Sequence, residues 1–246
     1  MFTSEEHEFM QTVQKGICSE MKTETVKTTI QIQRIKDSER FSKQDEVAME
    51  YNLDIPLKSG EVVHVTCTPA HLEEMILARR YLAGDLTEEE RAGAGIKNAD
   101  TKDTETQDIL TEVSLEEIFR IAHDSFENPG PLFVTTGCAH SCALIYKGET
   151  VCCIEDIGRH NALDKVIGYA LKHQIPISGA YIFSSGRISE DYLEKAIAAG
   201  FRMVVSRAAV TDAAVKLAQE KGITMLGFIR KNTGNIYCEA KVQVRK

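Results

Sequence analysis

The chain has 246 residues, of which 43% are hydrophobic and 27% charged, and its formal net charge is −8. That is enough chain for one large domain or two modest ones, with the composition of an ordinary globular protein. No apolar run approaches the ~20 residues of a membrane span, no basic-then-apolar leader opens the chain, and the acidic balance excludes non-specific nucleic-acid binding as the main activity; the expected location is the cytoplasm.

Residues 1–20 read as a short helix or a mobile arm. Apolar and polar residues alternate from Thr23 to Ile35 and from Val47 to Leu57, which predicts half-buried strands. "PLKSGEVVHVTC" predicts a hairpin turning at Ser59-Gly60. "TPAHLEEMILARRYLAG" predicts a helix with Thr68 as N-cap, Pro69 at the first helical position and Gly84 as the stop. Residues 21–90 therefore form a small β-rich part with one helix.

Residues 91–110 are rich in Gly, Asp, Thr and Lys and lack periodicity, as in a long flexible surface loop. "SLEEIFRIAHDSF" follows as a helix with a capping box from Ser114 to Glu117. Strands are predicted at 131–136, 142–146, 150–155, 180–184, 202–206 and 223–229, and helices at 160–172, 189–199 and 211–221. This alternation means βα units over 111–246, with a largely parallel sheet covered by helices. Residues 88–127 hold 12 acids and 4 bases, whereas residues 131–246 hold 15 bases and 10 acids. The acidic stretch is either a docking face for a basic partner or a solvated surface.

Three strand-to-helix junctions, "IEDIGRHN", "IFSSGRIS" and "VVSRAAVT", each carry an arginine: Arg159, Arg187 and Arg207. In an open α/β sheet such turns gather at the carboxyl edge of the strands, where ligands bind. Helix N-termini there favour anions, and arginine adds a two-point fork for phosphate or carboxylate. The small residues Ser184, Ser185, Gly186 and Ser206 let a phosphate approach the backbone. Two alternatives stand beside this anion site. The arginines could pair with nearby Asp156 or Asp164, and His160 and Asn161 could simply cap a helix. "GFIRKNTGNIY" is either a plain hairpin turn or a loop closing over the same ligand.

Seven cysteines, odd in number and without an export signal, are expected to be reduced thiols. "TTGCAHSC" is read as closing a strand and places Cys138, His140 and Cys142 within five residues. A reactive thiol beside a histidine and near helix N-termini is one reading, and ordinary packing is the other. Zinc is disfavoured, because structural zinc draws on two separated pairs. "HLE" at 71–73 supplies half of a zinc-deaminase motif, but no P-C-x-x-C follows.

"CTPAHLEEMILARRYLAGDL", "TGCAH", "EDIGRHNALDKVIG", "SSGRIS", "VVSRAAVTDAAVKLAQEKGITMLGFIR" and "NIY" occur in an order that resembles the formate dehydrogenase accessory protein family, from about residue 45 to 240. The resemblance implies a cytidine-deaminase-like layered α/β/α core joined to a smaller β-rich N-terminal part, and a homodimer. It implies sulfur transfer from a cysteine desulfurase to the molybdenum or tungsten bis(molybdopterin guanine dinucleotide) cofactor of formate dehydrogenase. Guanine nucleotides such as GDP would occupy the cofactor pocket. The family carries persulfide on a C-x-x-C loop before its T-G-x-x-H segment, whereas residues 91–110 contain no cysteine. The family's cofactor-binding stretch matches Phe228, Ile229, Arg230, Lys231, Asn232 and Thr233, and the expected cofactor-binding set joins these to Arg159, His160, Asn161, Ser185, Gly186, Arg187, Ser206 and Arg207 of the turns. Cys138 is the expected nucleophile, with Cys142 as resolving partner and His140 lowering the thiol pKa. A non-catalytic cofactor carrier is the alternative. Neither a nucleic-acid nor a membrane partner is expected.

Overall fold

The computed structural model describes residues 25–96 and 108–246. The predicted arm at 1–20 and most of the predicted loop lie outside the described residues. Strands β1 (Lys27–Lys36) and β2 (Glu39–Ala48) form an antiparallel hairpin. It turns at Asp37 and Ser38, with φ of 49° and 68°; two left-handed residues give the twist that a two-residue hairpin needs. β2 was not legible in the sequence, because "ERFSKQDE" is polar on both faces and lies in solvent. β3 (Tyr51–Pro56) and β4 (Val62–Cys67) form the second hairpin, turning at Gly60 as expected.

Helix α1 (Leu72–Leu82) buries Met75 against Ile55, Val65 and Cys67 of that hairpin. The helix begins at His71 (φ 55°) and not at Thr68. Thr68 is engaged elsewhere, as described below, and Pro69 stays outside the helix. Gly84 (φ 69°) ends it as expected. The first residues of the predicted loop belong to a short helix, α2 (Glu88–Gly93), closed by a Thr87–Glu90 capping box.

After β5 (Glu112–Ser114) comes α3 (Leu115–Glu127), whose N-cap Ser114 accepts from Glu117 N as predicted. The segment expected as a strand at 131–136 is a helix, α4 (Pro131–Thr136). Its residues "LFVTT" favour strands by propensity. Pro131 at the helix start and a distant carboxylate at its N-terminus override that preference.

The chain continues through β6 (His140–Tyr146), β7 (Glu149–Asp156), α5 (Arg159–Lys172), β8 (Ala180–Ser184), α6 (Glu190–Ala199), β9 (Met203–Ser206), α7 (Asp212–Lys221), β10 (Thr224–Arg230), β11 (Thr233–Cys238) and β12 (Gln243–Arg245). The large sheet has the order β11-β10-β9-β8-β6-β7. It is mixed rather than largely parallel: β8, β9 and β10 pair in parallel, but β6 opposes both its neighbours and β11 opposes β10. β7, β8, β9 and β10 nevertheless run the same way, so their carboxyl ends share one edge.

Strand residues alternate between two cores. Leu144, Ile182, Val204 and Met225 face α5, α6 and α7 with Leu163, Ile167, Leu193 and Ala218. Ala143, Phe183, Val205 and Leu226 face Ile118, Ile121 and Ala122 of α3. Helices thus cover both faces and leave the carboxyl edge open.

Candidate anion site and thiol cleft

The three arginine turns begin with one device. The last residue of each strand accepts a hydrogen bond from the backbone two residues on, which bends the chain out of the sheet. Asp156 Oδ1 takes Gly158 N at 2.9 Å, Ser184 Oγ takes Gly186 N at 3.1 Å, and Ser206 Oγ takes Ala208 N at 2.9 Å. The Ser206 hydroxyl donates to Gly186 O at 2.6 Å, while Ile188 N donates to Ala209 O at 3.0 Å. Ser141 N donates to Ser185 Oγ at 2.8 Å, and Ser185 N returns a bond to Ser141 O at 2.9 Å. β6 and the second and third turns are thereby stitched into one platform.

Most of the charge in the first turn points inward. Asp156 is fully buried, and its Oδ2 accepts from Thr68 N and Thr68 Oγ1 at 2.9 Å and from Lys165 Nζ at 2.6 Å. Lys165, also fully buried, donates to Thr68 O at 3.0 Å as well. Asn161 donates to Thr66 O at 2.7 Å and to Asp156 Oδ1 at 2.9 Å. Asp164 takes Arg79 Nε and Lys195 Nζ, each at 2.7 Å. His160 Nε2 lies 3.1 Å from the Asp191 carboxylate, and its ring meets Tyr192 edge-on. Asn161 and Ser206, expected at a ligand, therefore have their polar atoms turned into the protein.

Arg159 behaves differently. Its Nη2 donates to Ser189 Oγ at 3.0 Å, and its Nε is buried without a hydrogen-bond partner among the described residues. It lies against Gly186, where a methyl group would come within 3.1 Å of Arg159 Cβ and Cδ and 3.4 Å of His140 Nδ1. Glycine is what lets the second turn approach both. Burial lowers the pKa of His140, and the charges of Arg159 and Arg187 lower it further, so the imidazole is neutral at pH 7. His140 is therefore not the standing imidazolium that was expected beside Cys138. Arg187 and Arg207 have no ion pair among the described residues. Asp156 and Asp164, the carboxylates that could have neutralised these arginines, are held by Lys165, Lys195 and Arg79.

A cleft of about 390 Å³ opens on this edge, lined by Cys138, His140, Ser185, Glu155, Phe133 and Arg207 among others. The 228–233 segment forms a hairpin turn, with Arg230 opposite Thr233. Its base leans on the third turn: Phe228 N donates to Ala208 O at 2.9 Å, and Arg230 Nε donates to Arg207 O at 3.3 Å. Ile229 turns its side chain into the core and offers none to a ligand. Lys231, Asn232 and Thr233 stand exposed at the tip.

Cys138 is exposed and lines the cleft, just after Gly137 (φ 67°) ends α4. The Cys-x-His-x-Cys segment therefore leads into a strand rather than closing one. Cys142 lies on the other face of β6, fully buried with Tyr192 Oη 3.7 Å away, and burial pushes its thiol up to about 12. The structure does not bring it to Cys138, so the resolving role lacks an accessible thiol. Glu155 was not singled out as a site residue, yet its carboxylate accepts from Leu132 N and Phe133 N at 2.9 Å and lines the cleft. Its partner amides lie 22 and 23 residues away, and no local pattern reveals such a contact.

Residues 78–243 match the model of the FdhD/NarQ family. The chain is 30% identical to the sulfur carrier protein FdhD of Geobacillus kaustophilus (strain HTA426), over 84% of this chain and 93% of that protein. It is 28% identical to the protein FdhD of Methanocaldococcus jannaschii, over 87% and 97%. A crystal structure described as a formate dehydrogenase accessory protein from Desulfotalea psychrophila shares the fold, with a TM-score of 0.71 at 21% identity over 87% of this chain and 97% of that one. The turns that carry the arginines and the cleft that carries Cys138 all fall within the matched segment, and the chain belongs to the FdhD/NarQ family.

Proposed function

We propose that the protein is an accessory factor in formate dehydrogenase maturation. It holds a pterin guanine dinucleotide by its phosphates at the carboxyl edge of the large sheet, and it carries sulfur on Cys138. The observation that bears this reading is the set of arginines left without carboxylate partners among the described residues, while every acid of the neighbouring turn is engaged elsewhere. Unpaired guanidinium groups on a rigid, small-residue platform suit a ligand with several negative charges. The naming of relatives as sulfur carriers supports the role of the thiol.

A volume of about 390 Å³ is at the small end of ligand pockets (~300–1,000 Å³). One nucleotide portion of the ligand would be enclosed, and the rest would extend over Arg187 and the hairpin tip. The Phe133 ring gives the cleft one apolar wall, and Arg207 gives it a charge for phosphate. The cofactor itself is cargo here, in its molybdenum or tungsten form.

Loading of sulfur is a displacement. The Cys138 thiolate attacks the outer sulfur of a desulfurase cysteine persulfide, a new S–S bond forms at Cys138, and the desulfurase cysteine leaves as thiolate. The neutral His140, which also lines the cleft, can take up the Cys138 proton before attack. Cys67, Cys142 and Cys152 are buried, and of the two exposed thiols among the described residues, Cys138 and Cys153, it is Cys138 that lines the cleft.

A second reading is a carrier that binds the pterin and transfers no sulfur. It is favoured by the burial of Cys142 and by the absence of cysteine from residues 91–110, and no second thiol among the described residues lines the cleft. Incubation with a cysteine desulfurase and sulfur-labelled cysteine separates the two. Label on Cys138, lost in Cys138→Ala while GDP still binds, is expected. Unlabelled protein that binds GDP establishes the carrier instead.

A further inference from the structure

The segment from Gly130 to Ser141 forms one whole wall of the cleft, contributing Gly130, Phe133, Gly137, Cys138, Ala139 and His140. Both ends of this wall are tied to Glu155. At the near end, the Glu155 carboxylate accepts from Leu132 N and Phe133 N at the start of α4. A side chain at position 130 would collide with that carboxylate, so Gly130 is the residue that gives it a seat. At the far end, Ser141 is the cross-strand partner of Glu155 in the β6–β7 ladder.

Between the two ends runs a relay of short hydrogen bonds. Leu132 N donates to Glu155 Oε2 at 2.9 Å, Thr136 Oγ1 donates to Leu132 O at 2.7 Å, and Cys138 N donates to Thr136 Oγ1 at 3.0 Å. The six residues of α4 are too few to be a stable helix alone. What holds them is an external carboxylate at the helix's positive end, together with the two threonine hydroxyls that bond back to Pro131 and Leu132.

We infer that Glu155 is a positioning residue, which fixes α4 as the cleft wall and so presents the Cys138 thiol to an anion held by Arg207. This rests on the reading of Cys138 and the arginines given above. Both Glu155 carboxylate oxygens are taken by amides of α4. It acts through Leu132 and Thr136. A negative charge inside a site meant for anions is otherwise unfavourable, and its engagement by two helix amides removes that conflict.

The test compares disulfide exchange at Cys138 with two probes: 5,5′-dithiobis(2-nitrobenzoate), which is doubly negative, and 4,4′-dithiodipyridine, which is neutral. In each, the thiolate attacks one probe sulfur and an aromatic thiol leaves, with Cys138→Ala as the background and peptide mass fixing the site. The wild-type rate ratio, anionic over neutral, is expected to exceed that of an unstructured cysteine peptide by about tenfold, through attraction by the arginines. Glu155→Ala and the near-isosteric Thr136→Val should bring the ratio back toward the peptide value while pyrophosphate still binds. Glu155→Gln, which keeps one acceptor oxygen, should fall between. If Glu155→Ala and Thr136→Val keep the wild-type ratio while Arg207→Ala lowers it, the positioning role is wrong and the anion site stands. If Arg207→Ala leaves the ratio unchanged and pyrophosphate does not bind, the anion site itself fails. Thr136→Val keeps the test decisive should Glu155→Ala not fold.

Discussion

At the end of β7 the chain sets Glu155, Asp156, Arg159, Asp164 and Lys165 within eleven residues, whereas the ends of β8 and β9 offer one arginine each among serines. All three turns open with the same side-chain-to-backbone bond and all three feed a helix. They differ in where the charge goes. In the first turn, four of the five charged groups are drawn into contacts that join Thr68, between β4 and α1, to α1, α4, α5 and α6. In the other two, Arg187 is exposed and Arg207 half-buried, and neither has an ion pair among the described residues. A dense run of charged residues thus marks a buried joint, whereas the sparse turns keep their charge at the edge of the sheet. Arg159 belongs to both groups, since it lies over Gly186 with one nitrogen unpartnered.

The sharpest way to break this contrast is Asp156→Asn. It leaves Lys165 as a buried charge without its counter-ion, which costs about 3–5 kcal/mol. Urea denaturation should show that loss, and a variant that unfolds like the wild type but binds GDP poorly would reverse the assignment of the first turn. The next largest effect belongs to Arg187→Ala and Arg207→Ala. Each should weaken GDP or pyrophosphate binding by roughly 10–100-fold, the loss of a charge-assisted contact of ~1.5–3 kcal/mol. Stability should stay within about 0.5 kcal/mol of the wild type, because neither guanidinium is part of a buried pair. Isothermal titration and a urea curve on the same protein check both halves.

A smaller effect sharpens the picture of the second turn. Burial, then Arg159 and Arg187, lower the His140 pKa. Arg187→Ala should raise it, and pyrophosphate bound to the wild type should raise it too, by offsetting the same charge. A histidine whose folded pKa is depressed weakens the fold as pH falls below its unfolded value of ~6.5, since the unfolded chain takes up the proton first. Both changes should therefore lessen the stability loss between pH 6.5 and 5. Imidazole NMR titration reads the pKa directly, and a His140 pKa unmoved by either change would place the arginines farther away than described.

The smallest expected effect lies outside the site, at Glu74. Burial pushes its pKa up, but hydrogen bonds from His71 and Lys172 outweigh this and bring it down to about 2. The stability it contributes is present above its ordinary value of 4.5 and is lost as pH falls from there toward 2. Glu74→Gln should flatten that acid limb of a urea-midpoint profile and leave anion binding untouched.

Much of this was legible in the sequence, and what was not has identifiable causes. α5, α6 and α7 emerge at the predicted places because helical periodicity is a local signal, as are the glycines that end α6 and α7. The common edge of the three turns also follows from sequence, since βα units carry their own geometry. The strand expected at 131–136 is a helix because its capping carboxylate comes from Glu155, across the sheet. Thr68 looks like an N-cap and instead bonds to Asp156, 88 residues away. Asn161 and Ser206 were expected at a ligand because they sit beside the arginines, but burial decides which polar atom meets solvent, and spacing does not show it. Cys142 fails for the same reason: an alternate-face position in a strand sends its thiol into the core.

Thr68 also bears on how far the site can be transplanted. The family match begins at residue 78, inside α1, and so omits the hydroxyl and amide that cover Asp156 and the carbonyl that receives Lys165. A fragment cut at that point would bring water to an ion pair built to be dry and free the bend on which Arg159 rides. Swapping the arginine-bearing half between relatives will therefore succeed only when the upstream hairpin travels with it.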